Sequence, residues 1–100
     1  MVIEKTQTAG GTKLSLSGRL DANTAPQLQS ELLGELNAAN AVTLDFAGLT
    51  YVSSAGLRIL LMGEKAAKTK DTKQTLVNVS EEIMEIFEMT GFLSVLNVER

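Results

Sequence analysis

Neither cysteine nor histidine occurs in these 100 residues. That single absence removes disulfides, zinc sites of the usual kind, thiol nucleophiles and histidine-based triads. A chain without cysteine also suits a reducing compartment. Aromatic residues are scarce, 4% of the chain, so Leu, Ile, Val, Met and Ala must fill the core. Positive charge is in deficit: the net charge is −3. Duplex-binding domains carry a basic excess on one face, so no nucleic-acid partner is expected. No apolar run approaches the ~20 residues that cross a bilayer, so no direct membrane insertion is expected either. Residues Met1 to Thr6 include Glu4 and Lys5 and lack the apolar stretch of a signal peptide. The expectation is a cytoplasmic protein with no cofactor and no metal. What is abundant is aliphatic: apolar residues make up 44% of the chain, enough for one hydrophobic core.

The apolar residues change period along the chain. Val2 and Ile3 precede Gly10-Gly11, and Leu14 and Leu16 follow it, alternating with Lys13, Ser15 and Ser17. A Gly-Gly turn between two such runs reads as a hairpin. Ala25, Leu28, Leu32, Leu36 and Ala39 are then spaced by three and four, one face of a helix. Thr24 is placed to cap its start, Pro26 fits its first turn, and Asn37 to Asn40 supplies the stop. Val42, Leu44 and Phe46 alternate with polar or small residues as a half-buried strand, followed by an expected loop from Gly48 to Val52. A second helix should begin near Ser53 or Ser54, with Leu57, Leu60, Leu61 and Glu64 on one face. Lys65, Lys68 and Lys70 gather at its C-terminal end, where the dipole favours cations. Leu76, Val77 and Val79 mark a short strand. Ser80 caps a third helix with Glu81 and Glu82 in its first turn and Ile83, Ile86, Phe87 and Thr90 inward. Gly91 ends that helix, and Leu96 and Val98 suit a last short strand.

Strands that alternate with helices predict an α/β domain over residues 1–100. Alternation within the strands, rather than continuous apolar runs, predicts helices on one face. The expected architecture is a mixed, mostly parallel sheet of four or five strands, with three main helices packed chiefly on one face. Leu28, Leu32, Leu44, Phe46, Leu57, Leu60, Leu61, Leu76, Ile83, Ile86 and Phe87 are the expected core.

The stretch Leu44-Asp45-Phe46-Ala47-Gly48-Leu49-Thr50-Tyr51-Val52-Ser53-Ser54-Ala55-Gly56-Leu57-Arg58-Ile59-Leu60-Leu61 resembles the signature of the anti-sigma-factor antagonist family, the STAS domains. Gly18-Arg19-Leu20-Asp21 with Thr24-Ala25 is similar to the family's strand-to-helix joint. Val79-Ser80 through Met89-Thr90-Gly91-Phe92 is similar to its last helix and exit. The three segments lie in register over nearly the whole chain. The resemblance implies a non-enzymatic binding domain that captures an anti-sigma factor which is also a serine kinase. It implies, too, that phosphorylation of a loop-to-helix serine abolishes capture and that a PP2C-type phosphatase restores it. Anchored on Gly56-Leu57, the acceptor falls at Ser54, with Ser53 as the alternative. Many family members carry Asp before the acceptor, and this chain has Ser53 there. A second reading of the same resemblance is therefore a STAS module of a lipid-transport ABC complex or signalling assembly, without phosphorylation.

Each candidate residue also has a plainer role. A serine at the start of a helix is a preferred cap in any protein, so Ser53 or Ser54 serves equally as one. Ile59 and Met62 make the second helix apolar on more sides than a half-buried helix needs, either as core or as partner surface. Asp21 and Asp45 read as a carboxylate pair or as turn-capping residues, and the resemblance favours Asp21 on the partner surface. Gly10-Gly11-Thr12-Lys13 lacks the full spacing of a phosphate loop and sits in a hairpin. A small hydrolase built on Ser54 would need a base other than histidine. Loops that follow strand C-termini in a winding α/β unit share one edge. The expected docking residues are accordingly Asp21, Asn23 and Thr24 from one joint and Tyr51, Ser53, Ser54, Leu57 and Arg58 from the next. The free protein is expected to be a monomer.

Overall fold

A computed structural model describes residues 1–99. Four strands form one sheet in the order β1-β2-β3-β4, where β1 is Val2–Thr8, β2 Gly11–Leu20, β3 Ala41–Val52 and β4 Gln74–Val77. The hairpin pair β1 and β2 is antiparallel, and β2–β3 and β3–β4 are parallel. Three helices complete the fold: α1, Ala25–Asn37; α2, Ser54–Thr69; and α3, Glu81–Thr90. The helices α1 and α2 are the crossovers between parallel strands, which need a long connection. A 3₁₀ turn, Phe92–Ser94, follows α3. In place of a fifth strand, the C-terminal segment makes one parallel bridge, Leu76 to Val98.

The core lies between one face of the sheet and the helices. Leu14, Leu16, Leu44 and Phe46 project from the strands, and Leu28, Leu32, Leu60 and Phe87 meet them from the helices, all at most 2% exposed. Phe46 and Phe87 tilt against each other with ring centroids 6.5 Å apart, tying α3 to the centre of the sheet. Leu61 and Ile86, expected in the core, are only half-buried, and Ile59 is buried instead. The buried side of α2 is Gly56, Leu57, Ile59, Leu60, Gly63, Glu64 and Ala67, so its phase is rotated from the one the leucines alone suggest.

The loop expected at Gly48 to Val52 is strand. Two register shifts explain why it does not read as one. Ser15 pairs with Asp45 but Ser17 with Gly48, and Gly18 pairs with Leu49 but Arg19 with Tyr51, so β3 carries an extra residue twice. Each extra residue breaks the two-residue alternation. The buried positions after Phe46 are Leu49 and Val52, at intervals of three. The correction dissolves the proposed carboxylate pair. Asp45 lies opposite Ser15, whereas Asp21 follows Leu20, which is opposite Val52. At about 3.3 Å per residue the two are roughly 15 Å or more apart along the strands.

Helix ends are set by local chemistry. Ser80 Oγ accepts from Ile83 N at 3.3 Å, and Gly91 takes the left-handed conformation (φ 78°) that closes α3. Thr24, expected to cap α1, does not do so through its side chain. Its hydroxyl accepts from Asp21 N at 2.9 Å and donates to Arg19 O at 2.8 Å, so it ties the chain just before the helix instead.

Candidate functional site

The parallel strands β2 and β3 deliver their C-terminal ends to one edge, and each leads directly into a helix. The first joint is built on Asp21. Its Oδ1 accepts from Asn23 N at 3.0 Å and Thr24 N at 3.2 Å, and its main-chain carbonyl accepts from Ala25 N at 2.8 Å. Partial burial pushes the Asp21 carboxyl up, but the bonds from Asn23 and Thr24 and the charge of Arg19 together outweigh it and hold it below its ordinary value. Arg19 Nε stands 3.7 Å from Asp21 Oδ2, and the Arg19 guanidinium lies 4.2 Å above the Tyr51 ring.

The second joint is locked to the first. Ser53 N donates to Leu20 O at 2.9 Å, so the start of α2 hangs on the end of β2. Ser53 Oγ accepts from Gly56 N at 3.3 Å and caps the helix, and Ser53 O accepts from Leu57 N at 2.9 Å. Gly56 is needed for the fit: a Cβ there would stand 2.7 Å from Leu20 Cγ and 3.2 Å from Leu20 O. The missing side chain lets α2 press against β2 and brings the two joints together.

The two serines thereby differ. Ser53 is half-buried with its hydroxyl engaged as the cap, and Ser54 is the exposed first residue of α2. Arg58 lies one turn on, also exposed, and Met62 follows at 41% exposure. Ser54, Arg58 and Met62 are spaced by four, so they share an outward stripe of the helix. Among the other expected docking residues, Asn23 and Tyr51 are exposed and Asp21 and Thr24 half-buried, all at this edge. Leu57 turns inward, 6% exposed, and seats the helix on the core.

Arg19 was not among the expected site residues. Its place becomes legible only through the cross-strand pairing of Arg19 with Tyr51, which a loop at Gly48 to Val52 would not provide. Asp45 has a separate task. Its Oδ1 accepts from Asn78 Nδ2 at 3.0 Å and Ala47 N at 2.9 Å, and Lys13 Nζ is 3.4 Å from Oδ2. Those partners, Asn78 foremost, hold the Asp45 carboxyl below its ordinary value. No helix among the described residues is long and apolar enough to cross a membrane.

A four-stranded mixed sheet with helices on one face, and a serine-opened helix at the sheet's edge, defines a STAS-type α/β domain. The chain belongs to the STAS-domain family: the family model described as "Mlab, STAS domain" matches residues 3–97. Among curated relatives, the "Putative anti-sigma factor antagonist BtrV" of Bordetella bronchiseptica is 34% identical over 84 residues, 83% of this chain and 72% of that protein. Among solved structures, an anti-sigma-factor antagonist (STAS) domain protein from Planctomyces limnophilus superposes with a TM-score of 0.83 at 23% identity, covering 97% of this chain and 87% of that one. The Bacillus cell fate determinant SpoIIAA in its phosphorylated form gives a TM-score of 0.76 at 16% identity, over 99% and 92% of the two chains. At these identities the structural likeness speaks for the fold.

Proposed function

We propose that this chain is an anti-sigma-factor antagonist: a non-enzymatic cytoplasmic regulator that captures an anti-sigma factor/serine kinase at the joint edge and is released by phosphorylation of Ser54. The observation that carries the reading is the division of labour between the serines. Ser53 is occupied as the helix cap, while Ser54 is exposed at the first position of α2. The relatives that are named anti-sigma factor antagonists support the general role. A phosphate on Ser54 would add about −1.5 to −2 charge where a helix N-terminus and Arg58 accommodate it. The fold survives, and the bulk and charge at the centre of the docking edge oppose the partner. A PP2C-type phosphatase would reverse the modification.

The test is to incubate the wild type, Ser53→Ala and Ser54→Ala with the kinase recovered by pull-down and ATP, then map the sites by mass spectrometry. Phosphate should appear on the wild type and Ser53→Ala and be absent from Ser54→Ala. Phosphate on Ser53 alone moves the switch by one residue. Serine at 53, where many family members have Asp, is compatible with one alternative: a STAS module of a lipid-transport ABC complex or signalling assembly without phosphorylation. Co-purification with a transporter ATPase and no phosphate on either serine would select that alternative.

A further inference from the structure

The helix α3 is acidic along its length. Its ten residues contain Glu81, Glu82, Glu85 and Glu88 and no basic residue. Glu81 and Glu82 suit the positive end of the dipole. Glu81 and Glu85 are four apart, a spacing at which like charges repel. Packing does not require them, since α3 buries only Ile83 and Phe87 fully.

Three of these carboxylates, Glu81, Glu85 and Glu88, line a groove. A depression of about 370 Å³ lies between the start of α3 and the end of β4, with Val77, Val79 and Met84, all half-buried, as apolar floor and Glu81 and Glu99 as rim. It continues along α3 past Met84, Glu85 and Glu88. Among the described residues that line it, none is basic. Its walls are fixed by hydrogen bonds. Leu76 N donates to Asn97 O and Glu99 N donates to Leu76 O, both at 2.9 Å, which sets the Glu99 side. Asn78, in a left-handed conformation (φ 56°), is held by Asp45 at 3.0 Å, which sets the turn below α3. A preformed groove costs little ordering when it is filled.

We propose that this groove is a second docking site, independent of the joint edge, and that it takes a basic amphipathic segment of a partner protein. Charge complementarity selects that occupant: lysine or arginine heads meet the glutamate rim while apolar side chains cover Val77, Val79 and Met84. The groove is separate from Ser54 because β3 runs on from Asp45, opposite Val77, to Val52 before α2 begins.

The test uses the ¹⁵N-labelled full chain and an amidated ten-residue peptide of alternating Leu and Lys, followed by NMR. Saturable shifts should centre on residues 77–85 and 99 and weaken as salt rises. Affinity should fall at least tenfold in Met84→Ser and in the double variant Glu81→Gln/Glu85→Gln. Ser54→Asp should bind the peptide as the wild type does, and a Leu/Glu peptide should not bind. Shifts scattered over the surface, or affinity indifferent to Met84→Ser in a variant whose melt is unchanged, would overturn the proposal. So would concentration-dependent self-association abolished by the same variants, which would make a second copy of this chain the occupant.

Discussion

Adjacent serines with the same side chain do different work because one backbone step separates a cap from a helical position. Removing the Ser53 hydroxyl leaves Gly56 N without its partner, so Ser53→Ala should cost about 0.5–2 kcal/mol in denaturant melts. Ser54→Ala removes an exposed hydroxyl and should stay within about 0.5 kcal/mol of wild type. Equal losses for both would mean the cap is shared. A second residue-scale effect is pH-dependent. The Asp45 carboxyl is held below its ordinary 3.8, chiefly by Asn78, so its ionised form is favoured in the folded state. Its stabilisation is complete above the ordinary value and disappears as pH falls from there through the depressed folded value. Asp45→Asn should therefore be less stable than wild type at neutral pH, with the gap narrowing in acid. Melts from pH 7 to pH 2 check this, and a gap that widens below pH 4 would contradict the assignment.

At the scale of elements, the sequence was readable wherever periodicity was regular. The spacing of Leu28, Leu32 and Leu36 yields α1 directly, and Ser80 with Glu81 and Glu82 yields the start of α3. The second half of β3 was not readable, because two extra residues shift its inward positions to intervals of three. Leucine content misled the phase of α2. Gly56 and Gly63 are buried without being apolar in the usual sense, and Gly63 leaves the space that Gln74 fills on its way to Leu60 O, a bond of 3.0 Å. Tests of α2 follow from this phase. Leu60 is fully buried, so Leu60→Ala should cost about 2–5 kcal/mol, and an unchanged denaturation midpoint would mean the helix is turned otherwise. Gly56→Ala would press a methyl into Leu20, with an expected loss of about 1–3 kcal/mol. Because the same contact aligns the two joints, capture of the partner should weaken by more than the stability loss alone accounts for.

On the scale of the whole molecule, the proposed function depends on where a parallel pair of strands ends. The strands β2 and β3 finish side by side, the bond from Ser53 N to Leu20 O fastens the second helix to the first strand, and two joints distant in sequence become one surface. That Asp21, Asn23 and Thr24 lie at this edge was legible from sequence; the place of Arg19 was not, since it depends on the Tyr51 ring across the strand. The surface carries charge of both signs, Asp21 and Arg58, on elements whose folding depends on neither side chain reaching the core. Charge reversal at Arg58 should therefore leave the melting transition of the free protein nearly in place. The local bonds at Asp21 make Arg58 the cleaner case: Asp21→Lys also removes the acceptor for Asn23 N and Thr24 N, so it should loosen the turn while Arg58→Glu does not. Affinity for the anti-sigma factor, measured by titration calorimetry, should fall at least tenfold for Arg58→Glu with the heat of unfolding unchanged. An affinity equal to wild type in both variants would place capture on another face. The α3 groove would then be the surface to test next, with Met84→Ser in the same titration.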